Sequence, residues 1–175
     1  MTEEKKEPWL NYLALTTVIL AVCATLATFK GGGFSTRSVL VQNQASDQWA
    51  FYQAKSIKQS LAEMEQGQLE RELLRTGEKQ VATAIEARVQ ALKGKIAKYD
   101  QEKAKIQDDA KRLEKERDDA QRHGRPFGLA VIFLQIAILL SSIAALLKKK
   151  AVWMAGVAVG ICGLVQFANG FMLFM

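Results

Sequence analysis

From Trp9 to Phe29 the chain runs 21 residues without a charged side chain, and Phe127–Leu147 repeats that length. A third uncharged run, residues 151–175, follows after Lys148-Lys149-Lys150. As a helix, 21 residues rise about 31 Å, which matches a bilayer core of about 30 Å. Backbone amides in hydrocarbon must be satisfied within the structure, so runs of this kind are read as membrane helices. The expected fold is therefore an all-α membrane protein with three transmembrane helices, 9–29, 127–147 and 151–175. Residues 1–8 form a polar tail and 148–150 a basic loop. Trp9 and Tyr12 stand where interfacial aromatics belong. A cleaved signal peptide does not fit, because its apolar region is about 7–15 residues long and ends in a small-x-small site.

Residues 30–126 hold 19 Lys/Arg and 15 Asp/Glu, interleaved rather than clustered. A nucleic-acid surface gathers its cations on one face, so the net charge of +6 does not point to nucleic acid. Lys30-Gly-Gly-Gly-Phe34 is expected to break the first helix, and Gly124 with Pro126 to end the last helix of this region. Between them the pattern is helical over about 36–75 and 78–122, with a turn at Thr76-Gly77. Spans one and two flank this region, so both arms return to the same membrane face. A long antiparallel helical hairpin meets that requirement.

The second arm is the more regular. Ile85, Val89, Leu92, Ile96, Tyr99, Lys103, Ile106, Ala110, Leu113, Arg117 and Ala120 follow four–three spacing, a 3.5-residue seam of coiled-coil type. On the first arm, Ala50, Ala54, Ile57, Leu61 and Met64 form the expected apolar seam, which can face the seam of the second arm or further copies of the chain. It loses register near Gly67 and resumes at Leu69 and Leu73. Gln48, Tyr52, Lys55 and Gln59 are expected on another side. Stepping the seam back from Ala50 reaches Asp47, Asn43 and Leu40. A polar group in a seam needs a partner, and Arg117 is the candidate, giving an expected Asp47–Arg117 or Asn43–Arg117 contact within or between chains. Asp108–Arg112, Glu114–Arg117 and Asp118–Arg122 stand at helical charge-pair spacing.

Catalytic chemistry finds no constellation here. His123 is the single histidine, expected to be solvated, and Cys23 and Cys162 lie inside apolar runs with no ligand-spaced companions. No cofactor or metal site is expected, and the protein is read as no enzyme. The three spans lack ionisable side chains, which argues against a pump or coupled transporter. Their polar groups are Thr16, Thr17, Thr25, Gln135, Ser141, Ser142, Gln166 and Asn169, which leaves a pore of several copies open. In span three, Gly156, Gly160, Gly163 and Gly170 make a small-residue stripe that lets helices approach, within one chain or between chains. Gln166 and Asn169, one turn apart, can hydrogen-bond between helices.

The segment Ala45-Ser-Asp-Gln-Trp-Ala-Phe-Tyr-Gln-Ala-Lys-Ser-Ile-Lys58, just beyond span one, resembles bacterial membrane proteins of domain-of-unknown-function family 4337. Phe133-Leu-Gln-Ile-Ala137 and the basic loop before span three support the resemblance, which covers nearly the whole chain. Family patterns often carry Tyr where Phe51 stands. The resemblance implies a membrane protein and brings no catalytic residues with it.

The expected function is a self-associating scaffold that presents its helical arm to a partner, with the bilayer, further copies and an unidentified protein as its contacts. Asn43, Asp47, Trp49, Tyr52, Lys55 and Arg117 are the candidate interaction residues. A channel or an accessory subunit of a transport complex is the alternative. Lysines in short loops orient membrane helices, so 148–150 and the N-terminus are expected in the cytoplasm of a bacterial inner membrane. The hairpin and the C-terminus then lie in the periplasm.

Overall fold

The computed structural model describes residues 8–173. Lys5 and Lys6 of the polar tail, and the last two residues of span three, lie outside the described residues. Three α-helices follow one another: α1 (Pro8–Leu73), α2 (Lys79–Leu147) and α3 (Lys150–Met172). Each is long and apolar enough over part of its length to cross a membrane, by length and composition.

Two expected helix ends are absent. α1 runs straight through Gly31–Gly33, and α2 runs through Gly124 and Pro126. No glycine adopts a positive φ among the described residues. Gly31 is small for a different reason: a Cβ there would stand 3.1 Å from Phe127 Cβ. Gly124 likewise faces Phe34, with a Cβ-to-Cβ distance of 3.5 Å. These glycines serve close approach between helices, and glycine in a helix costs only about 1 kcal/mol relative to alanine. Pro126 removes one backbone donor from α2 without ending it.

The actual helix ends are local. After Leu73 the chain turns through Arg75 N–H to Glu72 C=O (2.9 Å) and Thr76 N–H to Glu72 C=O (3.1 Å). That turn is where Thr76-Gly77 placed it. α2 closes with Lys148 in the left-handed region at φ 50° and Lys149 N–H bonded to Ala144 C=O at 3.2 Å. This is the six-to-one bond of a Schellman motif, with lysine in the position that usually takes glycine.

The chain divides into two compact units, one of the described residues through Val39 together with those from Arg117 on, the other of Leu40–Glu116. In the first, three helical segments pack around Leu20, Ala24, Ala27, Phe127, Ala130, Leu134 and Ala137. The α1 segment runs parallel to α3, since the Trp9 ring lies tilted beside that of Trp153 (6.1 Å) and Leu20 packs on Gly160. The α2 segment runs against both, with Gly156 beside Ala137, Gly163 beside Leu134 and Gly170 beside Phe127. Cys23 is half-buried and Cys162 exposed, both as free thiols.

In the second unit, contacts pair ascending with descending numbers: Trp49 with Glu114, Lys55 with Glu102 and Glu65 with Arg88. The two arms are therefore antiparallel.

Candidate functional site: the paired arms

The seam of the second arm lies where its spacing put it. Ile85, Val89, Leu92 and Ala110 are buried, and Ile96, Tyr99, Lys103, Ile106 and Leu113 are half-buried. On the first arm the spacing left two arrangements open, and the apolar seam is not the face that meets α2. Ala50, Ala54, Ile57, Leu61 and Met64 face outward, with Ile57 62%, Leu61 59% and Met64 62% exposed. The face turned to α2 is instead Val41, Ala45, Gln48, Tyr52, Lys55, Gln59, Ala62, Gln66, Leu69 and Leu73. These positions also step by four and three, without a break. Leu69 and Leu73 are in phase with Ala62 and Lys55 rather than with Met64, and that phase is the signal that composition alone obscured.

Small residues and amphipathic ones share this face for a physical reason. Ala45 and Ala62 are buried and leave room for the backbones to approach, while Tyr52 and Lys55 bury their stems and keep polar tips at the edge. Those tips are matched across the arms. Trp49 Nε1 donates to Glu114 Oε1 at 2.9 Å, and its ring meets Tyr52 edge-on at 5.7 Å. Lys55 Nζ donates to Glu102 Oε2 at 2.6 Å and lies 5.4 Å from the Tyr99 ring centre. Lys103 Nζ, the cation inside the second seam, sits 5.7 Å from the Tyr52 ring centre and 3.4 Å from Asp100. The hydrogen bond from Lys55 holds the Glu102 carboxyl below its ordinary range; partial burial opposes this, and the charges of Lys55, Lys98 and Lys105 reinforce it. Gln59 donates to Glu63 at 2.8 Å, but its Oε1 is buried without a partner.

Of the interaction residues expected from sequence, Trp49, Tyr52 and Lys55 thus line the contact between the arms. Asn43 and Asp47 belong to the outward stripe and are exposed, so Asp47 is not the seam residue expected to pair with Arg117. Arg117 donates to Asp118 at 2.8 Å, taking the carboxylate expected to pair with Arg122. Arg112 bonds Asp109 at 3.1 Å in place of Asp108, and Glu114 accepts from Trp49.

In the three-helix unit, Gly156, Gly160, Gly163, Asn169 and Gly170 are buried, and the glycine stripe packs on α1 and α2 of the same chain. Asn169 Nδ2 donates to Gln166 Oε1 at 3.4 Å, a bond that stays within α3. His123 is not solvated as expected. It is half-buried, stacks on Phe34 at 5.1 Å and places Nδ1 3.2 Å from the Gly170 carbonyl oxygen. That carbonyl lies in the last turn of α3, where backbone acceptors lack helical donors, so Nδ1–H caps it. Sequence held no signal for this pairing, because it joins residues 47 positions apart.

A family model described as a domain of unknown function, DUF4337, matches residues 9–173. No curated protein and no solved structure matches the chain.

Proposed function

The chain belongs to the DUF4337 family, and from the geometry of its paired arms we propose that it is a non-enzymatic integral membrane protein that self-associates through the outer face of α1. One observation carries this reading. The arm already has a complete seam against α2, yet it keeps a second stripe, Ala50, Ala54, Ile57, Leu61 and Met64, apolar and exposed. A 3.5-residue apolar repeat is what a packed partner helix requires, and a solvated helix face has no use for it. A second copy supplies a helix with the same repeat, and burying each large side chain stabilises the contact by about 1.5–3 kcal/mol. The arm, paired on one side and self-associating on the other, acts as a scaffold that holds copies in register. Its place is a bacterial inner membrane, with the Lys148–Lys150 loop in the cytoplasm and the arms in the periplasm.

The channel or accessory-subunit reading draws less support. Thr17, Thr25, Ser141 and Ser142 turn their hydroxyls back to carbonyls of the preceding turn instead of presenting them as donors to a pore.

One experiment tests both parts. In a variant with Cys23 and Cys162 replaced by alanine, Leu61→Cys is treated in spheroplasts with a membrane-impermeant bis-maleimide. A crosslinked dimer is expected, and Ile57→Lys should abolish it. Monomer alone, before and after the membrane is opened, would overturn self-association. A heterologous adduct in its place would assign the stripe to another protein. Crosslinking only after opening would reverse the orientation.

A further inference from the structure

A groove of about 750 Å³ lies between the α1 and α2 segments of the three-helix unit. Its volume falls in the range of about 300–1,000 Å³ typical of small-molecule sites. The groove straddles the ends of two uncharged runs. Ala27, Phe127 and Val131 line it inside those runs, whereas Gln121, Arg125 and Ser38 line it beyond them. Val39 and Ala120 share the outer end, and the Thr28 hydroxyl at the inner end is turned to the Ala24 carbonyl. The charged and amide groups of the lining thus lie only at the outer end, as a phospholipid carries its headgroup beyond its acyl chains.

Two independent features give the polar end its chemistry. No Asp or Glu lines the groove, and the guanidinium of Arg125 is exposed there with no ion pair among the described residues. Arginine presents a planar fork that matches a phosphate. Ser38 is only 7% exposed, lines the groove and makes no hydrogen bond among the described residues. A buried hydroxyl normally finds a partner, and one left open toward a cavity awaits an acceptor. The width of the groove comes from Gly32 and Gly128, where an added Cβ would meet no atom within 4 Å. These glycines leave space, in contrast to Gly31, which is filled by Phe127.

We infer that this groove binds one anionic phospholipid, its phosphate held by Arg125, Ser38 and Gln121 and an acyl chain lying along Phe127, Gly128 and Val131. The inference rests on the membrane reading above. Cationic pockets beside membrane helices select anionic headgroups, and each Arg or Lys contributes about 1 kcal/mol, or about fivefold.

The test uses full-length protein delipidated in detergent and mixed with phosphatidylglycerol or phosphatidylcholine of the same chains, read by native mass spectrometry. One phosphatidylglycerol per chain is expected to survive activation, at least about fivefold over phosphatidylcholine. Arg125→Gln should remove that preference, whereas Arg122→Gln, at an exposed neighbour that does not line the groove, should leave it. Gly128→Leu places its Cβ in open space and its side chain in the groove, and should reduce retention to background with helicity unchanged. Equal retention of the two lipids, or full retention in Gly128→Leu, would overturn the site. So would a Gly128→Leu variant that loses an oligomer instead of a lipid, which would give the groove to a second copy. Alkaline carbonate extraction separates the two levels. A protein washed off the membrane defeats the membrane reading and the lipid site together, whereas one that stays without selective retention defeats the lipid site alone.

Discussion

The three-helix unit and the paired arms are held together by opposite kinds of side chain. Where α3 packs, the contacts are made by removing side chains: a Cβ on Gly163 would come within 2.8 Å of Leu134 Cγ, and one on Gly170 within 2.7 Å of the Phe127 ring. Between the arms the contacts are made by long side chains, with Trp49, Tyr52, Lys55 and Lys103 reaching across. On the membrane reading proposed above, the difference follows from solvent. Lipid gives apolar helices little reason to associate, so packing there depends on close backbone approach. In water, burying an aromatic ring or a lysine stem is itself favourable, provided the polar tip stays wet or paired.

The comparison can be broken most severely at Gly163. Gly163→Leu should destabilise the three-helix unit by about 3 kcal/mol through overpacking against Leu134, seen as a lowered thermal midpoint in detergent. An unchanged midpoint would mean that α3 is not seated where Leu134 places it. Gly128→Leu, at a helix glycine where an added Cβ meets no atom within 4 Å, is the matched control.

The arms should respond in the opposite direction to added apolar bulk. Gln59 carries a buried, unpartnered Oε1 in the middle of the first seam. Gln59→Met removes that unsatisfied acceptor and keeps the volume, so it should stabilise the arms by about 1 kcal/mol in urea unfolding. A loss of stability would show that Gln59 is satisfied by a group outside the chain.

The smallest effect sharpens the account of the Lys55–Glu102 pair. Its carboxyl is held below the ordinary value of 4.5 in the folded protein. The pair's contribution is therefore present in full above that value and lost as pH falls through the lower folded one. In Lys55→Met the Glu102 carbon resonance should titrate at higher pH than in the wild type. Identical titrations would remove Lys55 as the cause.

Reading α1 from sequence reached its limit at a specific point. The stripe from Ala50 to Met64 is the more apolar face, and periodicity left open whether it meets α2 or another copy; the face through Ala45, Tyr52, Lys55 and Ala62 is the one that meets α2. Hydropathy ranks faces by solvent affinity, whereas packing against a neighbouring helix selects for small residues and for amphipathic ones that can bury a stem. Phase was the better guide, since Leu69 and Leu73 continue the true seam. Gly31 shows a similar limit: glycine marks either a bend or a close approach, and only the neighbour, Phe127, distinguishes them there.

Sequence alone determined the three apolar helices, the turn at Thr76-Gly77, the antiparallel arms and the facing seam of α2, because each depends on periodicity or charge along one segment. Tertiary structure decided which face of α1 is spent on α2 and which is left over. It also decided that the α3 glycines pack inside one chain, and that a half-buried His123 caps α3. Those choices depend on the shape of a partner far away in the chain, and a one-dimensional pattern carries no measure of that shape.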